Sequence, residues 1–295
     1  MQKTVGVANR RRRTYRGPMS LQNDLSVVVE LARGAGAVVM GHYGKVARLT
    51  KTHAAASNEA VTEADRATQR FIVQGLRERF PDDGIIGEES DAGDAITCDV
   101  RDPASRVWVI DPIDGTNNFI AGLGAFAVCI GLLDRGQPVL GVVYDVTRNE
   151  MFAGATGLGA TLNGQPIRAV DRALDDAAML MVTSNLIDAA GRCPQWACNF
   201  IAQTTWKTRM LGSAAVEAVQ VAHGVAHAAI TVNGKLWDAV APCAVVLAAG
   251  GVVTGLTGEA IWPYDVSGYT GAKVPFLAAG PNAHRDVLDY LTAHP

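Results

Sequence analysis

Trp108-Val109-Ile110-Asp111-Pro112-Ile113-Asp114-Gly115-Thr116-Asn117-Asn118-Phe119 decides how the rest of this 295-residue chain is read. Arg106 to Ile110 is rich in β-formers, so a hydrophobic strand ends on Asp111. Pro112 is expected to force a turn that points Asp111 and Asp114 toward one space. Two carboxylates that close repel unless a cation joins them, and hard cations such as Mg²⁺ take oxygen ligands of this kind, the Ile113 carbonyl included. Gly115 and Thr116 then open a short helix whose unpaired N–H groups suit a phosphate. An ordinary Asp-Pro, Asp-Gly turn reads the same way, so this run alone leaves both possibilities open.

Working outward, Gly84 to Gly87 is a short apolar strand. Phe126 to Leu133 and Val139 to Val143 flank Asp134-Arg135-Gly136-Gln137, a hairpin. Met151 to Ala153 and Ala160 to Leu162 are further strands, with Asn163-Gly164 as a turn. Upstream, Leu21, Leu25, Val28, Val29, Ala32, Ala35 and Val39 recur at helical spacing over residues 20–43. A small polar loop, Lys51 to Asn58, leads to a second helix from Thr62 to Phe80 with a capping-box-like start. The half spanning 19–170 is therefore helices plus a mostly antiparallel sheet. The half spanning 171–295 alternates, which suggests an α/β layer arrangement. Its strands are Met179–Thr183, Ala226–Thr231 and Phe276–Ala279. Its helices are Ser213–His223, an Ala- and Val-rich Trp237–Ala249, and Asn282–Leu291 capped by Asn282. The segment 169–178 is the expected boundary.

Composition narrows the function classes. Apolar residues make up 48% and charged ones 19%, with a net charge of −3, a globular balance without the basic excess of a nucleic-acid binder. No apolar run in the sequence approaches a membrane span. The five cysteines are odd in number and scattered, as expected of reduced thiols in a cytoplasmic protein. Arg10 to Arg13 and Arg16 lie in an expected disordered basic extension, residues 1–18, ahead of Met19. No P-loop pattern points to ATP.

Three more acids change the reading of the first two. Glu88, in Gly87-Glu88-Glu89-Ser90, follows a strand. Asp65 sits at a helix start, and so does Asp238, after Trp237. Each alone reads as a turn or a cap; together they occupy the strand ends and helix starts where sites are assembled. With Val61-Thr62-Glu63-Ala64-Asp65 and Gly212-Ser213-Ala214-Ala215, these motifs occur in the order of the inositol monophosphatase family, which the chain resembles over roughly 20–295. The resemblance implies a layered αβαβα sandwich and usually a homodimer. It also implies two or three Mg²⁺ ions held by Glu88, Asp111, the Ile113 carbonyl, Asp114 and Asp238.

Further roles follow from the same resemblance. Asp65, Glu88 and Thr116 would orient and deprotonate the attacking water. Gly115 and Thr116 would cradle the phosphate, while Gly212, Ser213, Ala214, Thr231 and Asp238 would contact the substrate. Two departures stand out. Thr231 occupies the position where many inositol phosphatases carry a substrate-binding Glu, and His53-Ala54-Ala55-Ala56-Ser57-Asn58-Glu59 replaces a shorter loop. The expected activity is hydrolysis of a small phosphorylated metabolite, best guess an inositol-1-phosphate-like one. Histidinol, sugar or nucleotide phosphates are alternatives. A regulatory protein of RNA-linked machinery on the same fold is the other class, favoured by the arginine run alone.

Overall fold

The computed structural model describes residues 18–44, 49–50, 60–61, 63–90, 96–187, 191–202 and 204–294. The basic extension, apart from its last residue, the Lys51–Asn58 loop, the whole of the replaced loop and Thr62 lie outside the described residues.

Helices α1 (Pro18–His42) and α2 (Glu63–Arg79) form the first layer, and the two-residue strands β1 (Leu49–Thr50) and β2 (Ala60–Val61) pair antiparallel between them in the chain. The second layer is an eight-stranded sheet. It comprises β3 (Gly84–Gly87), β4 (Thr97–Asp99), β5 (Arg106–Asp114), β6 (Ala127–Asp134), β7 (Gln137–Asp145), β8 (Glu150–Ala155), β9 (Gly159–Leu162) and β10 (Gln165–Ile167). Its order is β10-β9-β8-β7-β6-β5-β3-β4, antiparallel except where β3 runs parallel to β5. A six-residue helix, α3 (Thr116–Ala121), follows β5 directly.

The second half supplies β11 (Met179–Val182), α4 (Gln195–Ala202), β12 (Lys207–Arg209), α5 (Ala214–Ala222), β13 (Ala228–Thr231) and α6 (Leu236–Ala248). It closes with β14 (Val252–Thr254), β15 (Phe276–Ala279) and α7 (Pro281–Ala293). Its sheet, ordered β12-β11-β13-β15-β14, is mixed. Helices α5 and α6 lie between the two sheets, and α4 and α7 cover the outer face of the second. The result is the αβαβα sandwich.

Alternation along the strands explains the layers. In β6, Val128, Ile130 and Leu132 join the core shared with α1 and α2, whereas Ala127, Cys129 and Leu133 join the core shared with α5 and α6. A sheet buried on both faces reads as continuous apolar sequence, as β6 and β7 do. Where β6, β7 and β8 pass under α6, Gly131, Gly141 and Gly154 stand side by side in register. A Cβ on Gly141 would lie 2.1 Å from the Ala241 carbonyl oxygen, and one on Gly131 2.6 Å from Val240. The three glycines make a groove into which α6 sinks.

Several expectations change. Helix α7 begins one residue earlier than expected, with Pro281 in its first turn and Gly280 as N-cap; Asn282 lies inside and accepts from Arg285. The sequence reading missed β1, β2, β4, β10, α4, β12 and β14, all short. By length and composition, α1 over Ser20–His42 is long and apolar enough to cross a membrane. In the fold its Val28, Ala32, Ala35 and Val39 are fully buried in the core, and its Asp24 pairs with Arg106 at 2.8 Å.

Candidate active site

The turn expected at Pro112 is instead a β-bulge. Asp111 pairs with Cys129 and Asp114 with Ala127, so three steps on β5 match two on β6. In a regular strand, residues three apart point to opposite faces; one extra residue resets the alternation and brings both carboxylates to the same side. Pro112, with no N–H to donate, sits where the ladder is already interrupted. Glu88 follows β3, the parallel neighbour of β5, and its N–H reaches the Ile110 carbonyl. Asp238 comes from the first turn of α6 and accepts the Lys235 N–H at 2.6 Å, the carboxylate half of a capping box. One carboxylate oxygen from each of Asp111, Asp114 and Asp238 lies within 4.8 Å of the others.

Electrostatics show what this convergence requires. Burial, then Glu88, Asp114, Asp238 and Asp65, hold the Asp111 carboxyl well above the usual range. Burial and Asp114 push Asp238 up to about 7. Burial also raises Asp114, against the lowering effect of the Ser213 hydroxyl and the backbone N–H groups of Ala215, Ala214 and Val216. Carboxylates packed this way stay ionised at neutral pH only beside positive charge. An all-oxygen donor set of this kind fits a hard divalent cation such as Mg²⁺. Asp111, Asp114 and Asp238 would hold it, with Glu88 and Ile113 lining the same pocket.

The remaining expected residues fall around that point. Gly115 adopts φ 90° and ψ 35° as the N-cap of α3, a left-handed conformation that suits glycine. Thr116 lines the pocket, and its hydroxyl lies 2.9 Å from the Ile113 carbonyl and 3.4 Å from Asp65 Oδ1. One hydrogen serves one acceptor well, and the shorter contact is to Ile113. Thr231, the last residue of β13, lines the same pocket and is only 1% exposed. Gly212 and Ala214 line the pocket as well. Ser213, expected to contact substrate, does something else: it is buried, its hydroxyl donates to Asp114 Oδ2 at 2.5 Å, and it N-caps α5 by accepting from Val216. With the Ala215 N–H at 2.6 Å, the start of α5 holds Asp114 in place.

Three supporting residues escaped the sequence reading. Gln69, one turn after Asp65 on α2, clasps the Glu89 backbone: its amide donates to the carbonyl, and its oxygen accepts the N–H at 2.9 Å. Gly87 makes room for it, since a Cβ there would lie 2.6 Å from Gln69 Oε1. Glu217, on α5, accepts from the Leu211 N–H at 2.6 Å and the Gly212 N–H at 3.0 Å. Burial raises its carboxyl to about 8. Asn118 donates to the Ala125 and Leu211 carbonyls, tying α3 to the same loop. The one usable signal was spacing, because Gln69 falls four residues after Asp65 and so on the same helix face.

Comparison with known proteins gives a consistent result. The model of the inositol monophosphatase family matches residues 20–292. A Nus factor SuhB of Pasteurella multocida is 34% identical over 267 residues, covering 90% of this chain and 94% of its own. An inositol-1-monophosphatase of Synechocystis is 33% identical over 282 residues, covering 94% of this chain and 92% of its own. Among solved structures, an IMPase of Thermotoga maritima superposes with a TM-score of 0.76 at 30% identity, over 92% of this chain and 97% of its own.

Proposed function

The chain belongs to the inositol monophosphatase family and is a phosphoric monoester hydrolase; from that premise we propose that it hydrolyses a small phosphorylated metabolite with Mg²⁺ at the Asp111–Asp114–Asp238 site. The supporting observation is that three carboxylates, from β5 and α6, converge within 4.8 Å in one pocket. Two or three divalent cations there would supply Lewis-acid stabilisation of the phosphoryl, attacking and leaving oxygens.

The chain's own groups do the rest. The N–H groups at the start of α3 receive the phosphoryl oxygens. Thr116 and Asp65 orient the attacking water, and Glu88 takes its proton. The hydroxyl of Ser213 and the amides of Ala214 and Ala215 donate to Asp114 and favour its ionised form against the effect of burial. An inositol-1-phosphate-like ester is the reference substrate. Thr231 is too short to bind a polyol hydroxyl as a Glu would, so several esters should be accepted. A homodimer in the cytoplasm is the accompanying proposal, tested for assembly by sedimentation velocity.

Phosphate release from a panel of monoesters, with and without Mg²⁺, tests the function. Asp111→Asn keeps the side chain's size and removes a charge, so kcat should fall by about 100-fold or more. Near-normal turnover by the folded variant would overturn the assignment. A second reading, a regulatory protein of the Nus-factor kind, is favoured by the name of the Pasteurella multocida relative. A cellular role that survives Asp111→Asn would support it.

A further inference from the structure

Strands β14 and β15 are antiparallel neighbours that a few residues could join, yet residues 255–275 run between them. Connections of that length without secondary structure of their own are uncommon in compact folds and usually serve a function. The Tyr264 N–H donates to the Gly136 carbonyl at 2.9 Å, in the turn between β6 and β7, and a Cβ on Gly136 would lie 2.5 Å from the Tyr264 carbonyl oxygen. Val266 and Tyr269 are then buried in the core around α5 and α6. The segment ends against the approach to α6, where Lys273 bridges Lys235 and the Val274 N–H donates to the Gly234 carbonyl at 2.7 Å. Tyr269 is where this strap meets the helix. The first N–H groups of a helix have no partner within it. In α6 the Lys235 N–H goes to Asp238, and the next one, of Leu236, donates to the Tyr269 hydroxyl at 2.9 Å. The proton of that hydroxyl goes to the Ala272 carbonyl at 2.8 Å, so a lone pair faces Leu236. Burial, with Tyr264, Asp238 and Glu88, holds the hydroxyl above the ordinary tyrosine range against the lowering effect of the Leu236 N–H, so the proton stays on. The Tyr269 ring stands edge-on to Trp237, with centroids 6.0 Å apart. Leu236 and Trp237, the two residues ahead of Asp238, are thus both held by Tyr269, which does not itself line the pocket.

We propose that Tyr269 is a positioning residue for the cation site: its hydroxyl fixes the first turn of α6 and thereby the aim of the Asp238 carboxylate at Asp111 and Asp114. The proposal rests on the reading of those three acids as a Mg²⁺ site. Asp238 gives Oδ2 to the Lys235 N–H, so the direction of its carboxylate is tied to the orientation of this turn. Removing the hydroxyl leaves the Leu236 N–H without its acceptor, and the turn loosens at the residues that carry Asp238. Groups that hold a metal ligand in place set affinity along with the ligand itself.

Calorimetric titration of Mg²⁺ into the folded, cation-free chain tests it, with thermal melts and phosphate release alongside. Tyr269→Phe removes one oxygen and keeps the ring beside Trp237, so the variant folds. It should weaken Mg²⁺ binding by about three- to tenfold, the worth of one hydrogen bond. Its kcat at saturating Mg²⁺ should stay within about twofold of the parent, because excess cation draws Asp238 back into place. Tyr144→Phe is the matched control. The Tyr144 hydroxyl donates to Asn149 Oδ1 at 2.8 Å, and its ring is buried on the α1–α2 side of the first sheet. That variant should lose Tm and bind Mg²⁺ as the parent does. Parent Mg²⁺ affinity in Tyr269→Phe, whatever its Tm, overturns the proposal, since the hydroxyl would then support the fold alone. Equal weakening of Mg²⁺ binding by both substitutions overturns it as well. A parent chain that binds no Mg²⁺ overturns the cation site itself, and the phosphatase reading with it.

Discussion

Thr116 illustrates how a single hydroxyl divides its work. It leans on the Ile113 carbonyl at 2.9 Å and lies 3.4 Å from Asp65. If it orients the attacking water, the interaction is made mainly in the transition state, and Thr116→Ala should lower kcat by about 10²-fold or more with little change in KM. Steady-state kinetics at saturating Mg²⁺ check this; unchanged kcat with weaker binding would contradict the role. Glu217 makes a second case. Its folded-state carboxyl titrates near 8 against an ordinary 4.5, so between those values the folded protein holds a proton that the unfolded chain releases. Stability from this group is present in full below pH 4.5 and is lost as pH rises toward 8. Glu217→Gln keeps the acceptor for Leu211 and Gly212 and removes the titration. The variant should gain on the order of 2–4 kcal/mol relative to the parent between the lower and upper ends of that window. Denaturant midpoints in chelator at pH near 5 and near 9 measure the difference; equal slopes for the two proteins would contradict it.

At the scale of elements, the depth of α6 sets where Asp238 meets Asp111 and Asp114. The groove of Gly131, Gly141 and Gly154 allows that depth, and Gly141 has the closest approach, to the Ala241 backbone. Gly141→Ala should therefore cost about 1–3 kcal/mol by overpacking. It should also weaken Mg²⁺ binding, because the helix must lift and carry Asp238 with it. Thermal melts and Mg²⁺ titration check the two effects, and a variant with parent stability and affinity would show that α6 has slack. Much of the arrangement was legible in the sequence, because acids at the ends of apolar strands and at the starts of periodic segments announce themselves locally. The bulge was not, because it exists only in the register of β5 against β6. The clasp of Gln69 on Glu89, twenty positions away, and the hold of Ser213 on Asp114, ninety-nine away, leave no local pattern. The edge strand β12 and the short α4 carry too few residues for a periodicity to be read.

The whole molecule draws its site from both sheets and from the helix layer between them, so cation binding and global stability are linked. Without a cation, Asp238 alone titrates near 7 rather than 3.8, and Asp111 and Asp114 shift the same way. The folded state then holds more protons than the unfolded one across that window, and its stability falls as pH rises through it. Mg²⁺ binds the folded form and competes with those protons. Mg²⁺ should therefore raise Tm, and by more at pH 8 than at pH 5.5. Calorimetry with and without chelator checks this; an equal or reversed effect at the two pH values would separate these acids from the cation site.

The bulge in β5 makes chain length, and not residue type alone, part of the chemistry. Substituting a side chain along β5 changes one contact, but inserting a single residue between Asp111 and Asp114 while the bulge stays as it is would carry the second acid past Ala127 and turn it toward the α1–α2 layer. Removing one residue there would leave the two acids on one face but straighten the strand and lose the bend that re-aims them. Drift in composition is tolerable across much of this strand, whereas drift in count is not. A lineage could rework the pocket rim one substitution at a time, whereas an insertion or deletion here resets where the second acid points.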